Sequence, residues 1–298
     1  MGHLSGFVNI MGEPNVGKST LLNALIGEKL SIITNKPQTT RHRIMAILNT
    51  DDYQVVFSDT PGIIDTPHYK MQKAMNTFAY SALDDADVLM FIVDVDKEPI
   101  VPEDIVKKLK GITCPKLLIL NKIDLSSQKE MEALSKWWTS ELPDFEQVAI
   151  SALENIGVQE LLNKIIGHLP EGPPYYPKDQ FTDRSERFFI SEIVREKILE
   201  QFFQEIPYSC EVIVNSFKED ETRKDKLVRI AADIIVNRKT QKSIIIGKGG
   251  SSIKKLGTAA RIDIEAFLER KVYLELYVKV KEKWRDDDRS LKSYGYLH

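Results

Sequence analysis

Gly12-Glu13-Pro14-Asn15-Val16-Gly17-Lys18-Ser19, with Thr20 directly after it, has the spacing of a phosphate-binding loop. Its glycines let the backbone wrap close to an anion, so that N–H groups point inward. A helix starting there adds the partial positive charge of its N-terminus. Lys18 has the reach for the outer phosphates of a nucleotide, and the Ser19 hydroxyl is a magnesium ligand.

A phosphate loop alone does not separate GTP from ATP. Asn121-Lys122-Ile123-Asp124 does. Guanine carries an N1–H and an exocyclic amine on one edge, and the Asp124 carboxylate accepts from both. Adenine offers no such pair and would leave a buried charge unmatched. Asn121 can bridge this segment to the phosphate loop, and the Lys122 stem can lie along the base. Ser151-Ala152-Leu153 can close over guanine O6 with a backbone N–H. Asp59-Thr60-Pro61-Gly62 supplies a carboxylate that holds magnesium through water and a Gly62 N–H that senses the third phosphate. Thr39-Thr40 lies in a polar loop, 35–43, and Thr40 is the hydroxyl assigned to magnesium when that phosphate is present.

A second chemistry sits near the other end. Gly247-Lys248-Gly249-Gly250 fits the G-x-x-G loop that clamps about four nucleotides of single-stranded backbone in KH domains. Residues 234–262 hold seven basic side chains, Arg238, Lys239, Lys242, Lys248, Lys254, Lys255 and Arg261, and no acidic one. Ser251 opens the following helix, and Ile244–Ile246 and Ile253 can floor a groove for bases.

These residues need elements to hold them. Over the first 170 residues the strand patterns Phe7–Met11, Gln54–Ser58, Val88–Asp94, Lys116–Asn121 and Gln147–Ile150 alternate with helical ones. The helical patterns are Thr20–Gly27, Gln72–Asp84, Pro102–Leu109, Glu130–Glu141 and Val158–His168. Such alternation predicts a mostly parallel sheet with helices on both faces. The proline-rich stretch 169–177 predicts a stiff linker. Beyond it, a helix over Glu186–Glu205, strands over Glu211–Phe217 and Leu227–Val236, a helix over Ser251–Arg261 and a strand over Val272–Val280 predict an α+β domain. Trp284–His298 reads as a polar tail. Asp84-Asp85-Ala86-Asp87 reads as an acidic helix end, and Trp137-Trp138 as one core and one surface indole.

The 298 residues carry a formal net charge of -3. Residues 1–170 hold 16 Lys/Arg against 22 Asp/Glu, a net of -6; the remainder hold 25 against 22, a net of +3. The polyanion partner therefore belongs to the second part. Two cysteines, Cys114 and Cys210, make no disulfide framework and suit a reducing cytosol. The longest apolar run, Val88–Val93, is far too short to span a bilayer, and surface attachment stays open.

In order and spacing the nucleotide segments resemble those of the translation-factor-like small GTPases. The spellings Pro37-Gln38-Thr39-Thr40-Arg41-His42-Arg43 and Asp59-Thr60-Pro61-Gly62 resemble the Era family, and the resemblance covers the whole chain. Glu13 departs from it, standing where that family often has Arg. The resemblance implies an α/β P-loop GTPase domain at 1–170, a linker at 171–183 and a type II KH domain at 184–298. It implies GTP/GDP and Mg2+ as ligands, and Lys18, Thr40, Gly62 and Asn15 as catalytic residues. It implies a monomer in the cytoplasm that binds the 3′ end of small-subunit ribosomal RNA and acts in small-subunit assembly, with peripheral membrane attachment left open. Ile63 follows Gly62 where Ras-like enzymes carry a water-positioning glutamine, which implies slow intrinsic hydrolysis. Some similar GTPases with Asn at the place of Asn15 are activated by potassium, so K+ is a candidate cofactor. An RNA chaperone with a structural nucleotide, or a membrane-surface GTPase, are the alternatives.

Overall fold

The structure is a computed structural model that describes residues 2–34, 36, 38–99, 103–219 and 227–297. Asn35 and Pro37 of the switch-loop reading, Pro102 of the third helical pattern and the terminal Met1 and His298 lie outside the described residues. The chain divides into two compact units, Met1–Thr66 with Met75–Asp183, and Pro67–Ala74 with Arg184–His298.

In the first unit the strands are β1 (Leu4–Gly12), β2 (Ile44–Asn49), β3 (Tyr53–Asp59), β4 (Val88–Asp94), β5 (Lys116–Asn121) and β6 (Glu146–Ile150). They form one sheet in the order β2-β3-β1-β4-β5-β6, parallel except for β2, which runs antiparallel to β3. The inner parallel strands are buried on both faces, as at β4, where all seven residues are buried and read as a continuous apolar run. The helices are α1 (Lys18–Ile26), α2 (Lys70–Asp84, of which Met75 onward belongs to this unit), α3 (Glu103–Lys110), α4 (Gln128–Glu141) and α5 (Val158–His168). Leu21, Leu22 and Leu25 of α1 join Leu161 and Ile165 of α5 in one apolar cluster. Ile105 and Leu109 of α3 join Trp138 of α4 and Leu142 just after it in a second. Strand order reverses at β1, so the carboxyl ends of β1, β3, β4 and β5 open on the cleft where such sheets bind ligands.

The segment after α5 is not a free spacer. Ser5 N–H donates to the Pro170 carbonyl, Gly172 N–H to the His3 carbonyl and Ile47 N–H to the Phe181 carbonyl. Thr182 pairs with Ala46 of β2 and donates its hydroxyl to the Met45 carbonyl at 2.8 Å. The fully buried Gln54 on β3 holds the middle of this strap. Its carbonyl oxygen accepts from the Tyr175 and Tyr176 amides, and its amide donates to the Tyr176 carbonyl and to Asn49.

The second unit runs α6 (Glu186–Gln201), α7 (Ile206–Ser209), β7 (Glu211–Glu219), β8 (Val228–Val236), α8 (Lys239–Ile246), α9 (Ser251–Leu268), β9 (Val272–Val280) and α10 (Asp288–Ser293). The sheet order is β7-β8-β9, antiparallel then parallel. Ile190, Val194 and Ile198 of α6, Ile245 of α8 and Leu256, Ala260 and Ile264 of α9 pack with the strands in one core. The predicted helix over Glu186–Glu205 ends four residues early, because Gln204 turns to φ 54 and Pro207 starts a new turn. The predicted polar tail is folded. Trp284 (0% exposed), Leu291 and Tyr296 are buried, with the Trp284 indole N–H donating to the Ser209 carbonyl and the Tyr296 hydroxyl to Glu211.

Candidate nucleotide and nucleic-acid sites

The loop 12–17 joins β1 to α1 in conformations few side chains allow. Gly12 has φ 152 and Gly17 φ 100; a Cβ on Gly17 would stand 2.3 Å from Asn121 Nδ2. Asn15, at φ 66, takes the left-handed form without being glycine. Gly17 caps α1 with no side chain, which leaves the first helical amides for an anion. Lys18 is buried, its ammonium donating to the Gly12 and Glu13 carbonyls at 2.9 and 2.6 Å. Burial pushes this amine down to about 8.

Ser19, Thr40 and Asp59 come together from α1, the switch loop and β3. Ser19 Oγ lies 3.0 Å from Thr40 Oγ1 and donates to Asp59 Oδ2 at 2.8 Å, while Thr40 reaches the same oxygen at 3.3 Å. Asp59 is fully buried, and its Oδ1 has no hydrogen-bond partner among the described residues. Burial raises its carboxyl above the ordinary range. Two hydroxyls and an unmatched buried carboxylate oxygen are the hard-donor set that a magnesium ion needs. Thr39 lines the same cleft, but its hydroxyl donates to the Lys36 carbonyl. Gly62 approaches the phosphate loop so closely that a Cβ would meet Pro14 at 2.8 Å.

Asn121 is buried and bridges as its spacing implies: Nδ2 donates to the Val16 carbonyl at 2.8 Å, and Oδ1 accepts from the Ala152 amide at 3.0 Å. Lys122 adopts φ 70 and its ammonium is held by Asp94 at 2.6 Å, which leaves its stem beside the cleft. The cleft measures about 250 Å³ and is lined by Asn15, Lys18, Thr20, Asp124, Leu125 and Leu153 among others. Ile33 and Leu125 line it too, and both went unread in the sequence, because a lone exposed apolar residue in a loop carries no spacing signal. Not every expected contact is made by a side chain. The Thr60 hydroxyl is spent on the Ile10 carbonyl, and Ser151 Oγ accepts from the Glu154 amide, so both brace loops rather than face the cleft. Ile63 lines a separate apolar cavity of about 170 Å³ with Phe91, Ile105 and Trp138.

In the second unit the loop 247–250 links α8 to α9. Gly247 has φ 74, and a Cβ there would stand 2.4 Å from Ser252 Oγ; Gly249 and Gly250, at φ 60 and 80, have open space around them. Lys248, Lys254 and Lys255 are exposed. Gly250 caps α9 with no side chain, so its N-terminal amides face the same loop as Ser251. The expected apolar floor is uneven: Ile245 belongs to the core, Ile246 and Ile253 pack half-buried against it and Ile244 is exposed. Lys242 is half-buried on α8. Arg238 stands at the opposite end of α8 from the glycines, and Arg261 is paired with Glu265 at 3.1 Å.

Residues 7–122 match the family described as a 50S ribosome-binding GTPase, and residues 205–285 the KH domain. A GTPase Era of Syntrophus aciditrophicus is 47% identical over 296 residues, covering 98% of this chain and 95% of its own. A GTPase Era of Clostridium kluyveri is 46% identical, covering 98% and 99%. A crystal structure of Era in complex with MgGDPNP and nucleotides 1506–1542 of 16S ribosomal RNA superposes with a TM-score of 0.94 at 38% identity, covering 99% of this chain and all of that one. An Aquifex aeolicus Era variant bound to GDP.AlF4- gives 0.93 at 38% identity.

Proposed function

We propose that this chain, which belongs to the Era family of GTPases, is a GTP-driven switch that binds the 3′ end of small-subunit ribosomal RNA during assembly of that subunit. One observation carries the reading. A single chain holds the Ser19, Thr40 and Asp59 cluster with its unmatched carboxylate oxygen, and also a glycine clamp beside an uncapped helix N-terminus. The phosphate loop amides and Lys18 would hold the β- and γ-phosphates, with Ser19, Thr40 and Asp59 around magnesium. When bound, the ion offsets charge on the transferred phosphoryl group. Asp124 would read guanine from the cleft rim, and Gly62 would sense the γ-phosphate.

Ile63 carries no polar group to orient water, so intrinsic turnover would be slow. Asn15 lines the cleft at the phosphate loop, where its amide oxygen suits an alkali cation, and potassium would supply the missing charge. Equal turnover in potassium and sodium chloride at one ionic strength would reject that finer assignment. The chain would work as a cytoplasmic monomer. The exposed lysines around 248–255 would also serve contact with anionic lipid headgroups, which sedimentation with phosphatidylserine vesicles tests. The main reading is tested with an RNA of the small-subunit 3′ end. Saturable binding and a changed rate of phosphate release support it; binding no tighter than to an unrelated RNA of equal length rejects it.

A further inference from the structure

The acidic end of α2 and the basic end of the switch loop meet at a buried asparagine. Asn9 sits in the middle of β1, fully buried and in register with Ser58 of β3. Its amide donates to the Ala82 carbonyl in the last turn of α2 and to Asp85 Oδ1, the latter at 2.7 Å. Arg43 arrives from the other side. Its Nε donates to Ser58 Oγ at 2.6 Å, and one terminal nitrogen meets both oxygens of Asp85 at 2.8 Å and Asn9 Oδ1 at 3.4 Å. The guanidinium side chain is 13% exposed. α2 has no basic residue in its own last turn, so Arg43 is the cation at the negative end of its dipole. Asp87 nearby is also spent, accepting from the Phe7 amide at 2.8 Å. Asp85 and Asp87 of the acidic run at 84–87 are therefore fasteners, not merely a solvated helix end.

None of these residues lines the nucleotide cleft, yet two of them, Arg43 and Ser58, lie close in sequence to residues of the magnesium cluster. Arg43 follows Thr40 by three residues, and Ser58 immediately precedes Asp59. We infer that Arg43 is a positioning residue for the GTP-bound switch: it roots the switch loop on β3 and the end of α2, so that Thr40 is delivered to Ser19 and Asp59. Three residues of chain span at most about 10 Å, so where residue 43 is fixed, the sweep of Thr40 is bounded. A planar guanidinium meets three partners at once; an ammonium at the same place would keep one. Deleting Asp85 takes the carboxylate from a largely buried cation, so its loss acts on the loop through Arg43. The inference rests on the reading of Ser19, Thr40 and Asp59 as the magnesium and γ-phosphate site.

The test compares the full chain with Arg43→Ala, Arg43→Lys, Asp85→Ala and the double variant Arg43→Ala with Asp85→Ala. GDP makes no demand on Thr40, so GDP affinity should stay within about twofold in every variant, which also reports folding. Affinity for a non-hydrolysable GTP analogue and kcat should each fall roughly tenfold in Arg43→Ala, with Arg43→Lys between. The double variant should be no worse than the worse single one, because both act through one contact. Amide exchange at residues 38–43 should quicken in the analogue-bound state. An unchanged ratio of analogue to GDP affinity in Arg43→Ala would overturn the inference, and so would additive losses in the double variant. If Arg43→Ala fails to fold, the same ratio measured for Arg43→Lys and Asp85→Asn decides. A wild-type chain that binds neither nucleotide would instead sink the underlying site.

Discussion

Asp124 stands exposed on the rim of the cleft, free of the packing that fixes its neighbours, so its replacement tests recognition rather than folding. Asp124→Asn should shift preference from GTP to xanthosine triphosphate, because an amide can donate to the carbonyl that xanthine carries in place of the guanine amine. GTP affinity should fall on the order of 100-fold or more, measured by competition between the two nucleotides. Lys18 sets a pH dependence. In the folded, nucleotide-free chain burial holds its amine at about 8, against 10.5 in the unfolded chain. Between those values the unfolded state binds more protons, so the stability of the free chain rises with pH there, and the cost of burying the charge is fully felt below 8. Phosphates favour the charged form. Nucleotide affinity should therefore decline as pH rises through about 8, with proton uptake on binding at pH 9. Calorimetry in two buffers of different ionisation enthalpy reads this, and a buffer-independent enthalpy would contradict it. At this scale the sequence was legible where a site is contiguous. Residues 12–19 and 121–124 announce themselves because phosphate and guanine each need several groups within one turn. Arg43, Asp85 and Asn9 did not, because their meeting depends on β1 lying beside β3 and under the end of α2.

Elements were legible where one periodicity rules. Val88–Asp94 and Lys116–Asn121 are buried on both faces, and their apolar runs mark them to the residue. β2 escaped because it is six residues long, half of them only partly buried, and follows a polar loop. The folded tail escaped because Trp284, Leu291 and Tyr296 are separated by charged residues that face out. The strap over 170–183 looked like a stiff linker because proline and tyrosine carry no periodic signal; it is Gln54, 121 residues before Tyr175, that holds it. Gln54→Leu keeps the volume but removes the partner of two partly buried amides and a carbonyl. It should destabilise the first unit by about 2–4 kcal/mol in urea unfolding and speed exchange of the Ile47 amide. A loss under about 0.5 kcal/mol would mean that the strap is held elsewhere.

The molecule as a whole keeps its charges apart, with a net of -6 over residues 1–170 and +3 beyond. RNA should therefore engage the second part without disturbing the nucleotide. Lys248→Asp with Gly249→Asp should abolish RNA binding and leave GTP affinity unchanged, as read by filter binding and nucleotide titration. The substitution is structurally cheap, since Gly249 has open space around it and Asp tolerates the left-handed form better than most residues. Normal RNA affinity in that variant would place the groove elsewhere. The strap has a further consequence, for solubility. β2 is the margin of a six-stranded sheet, and a margin with free N–H and C=O groups invites pairing with another chain. Phe181 and Thr182 already occupy that edge. A chain cut after Pro170 should thus retain its nucleotide cleft yet self-associate, whereas one ending at Asp183 should stay dispersed. Light scattering against concentration distinguishes the two, and equal behaviour would show that the edge needs no cover.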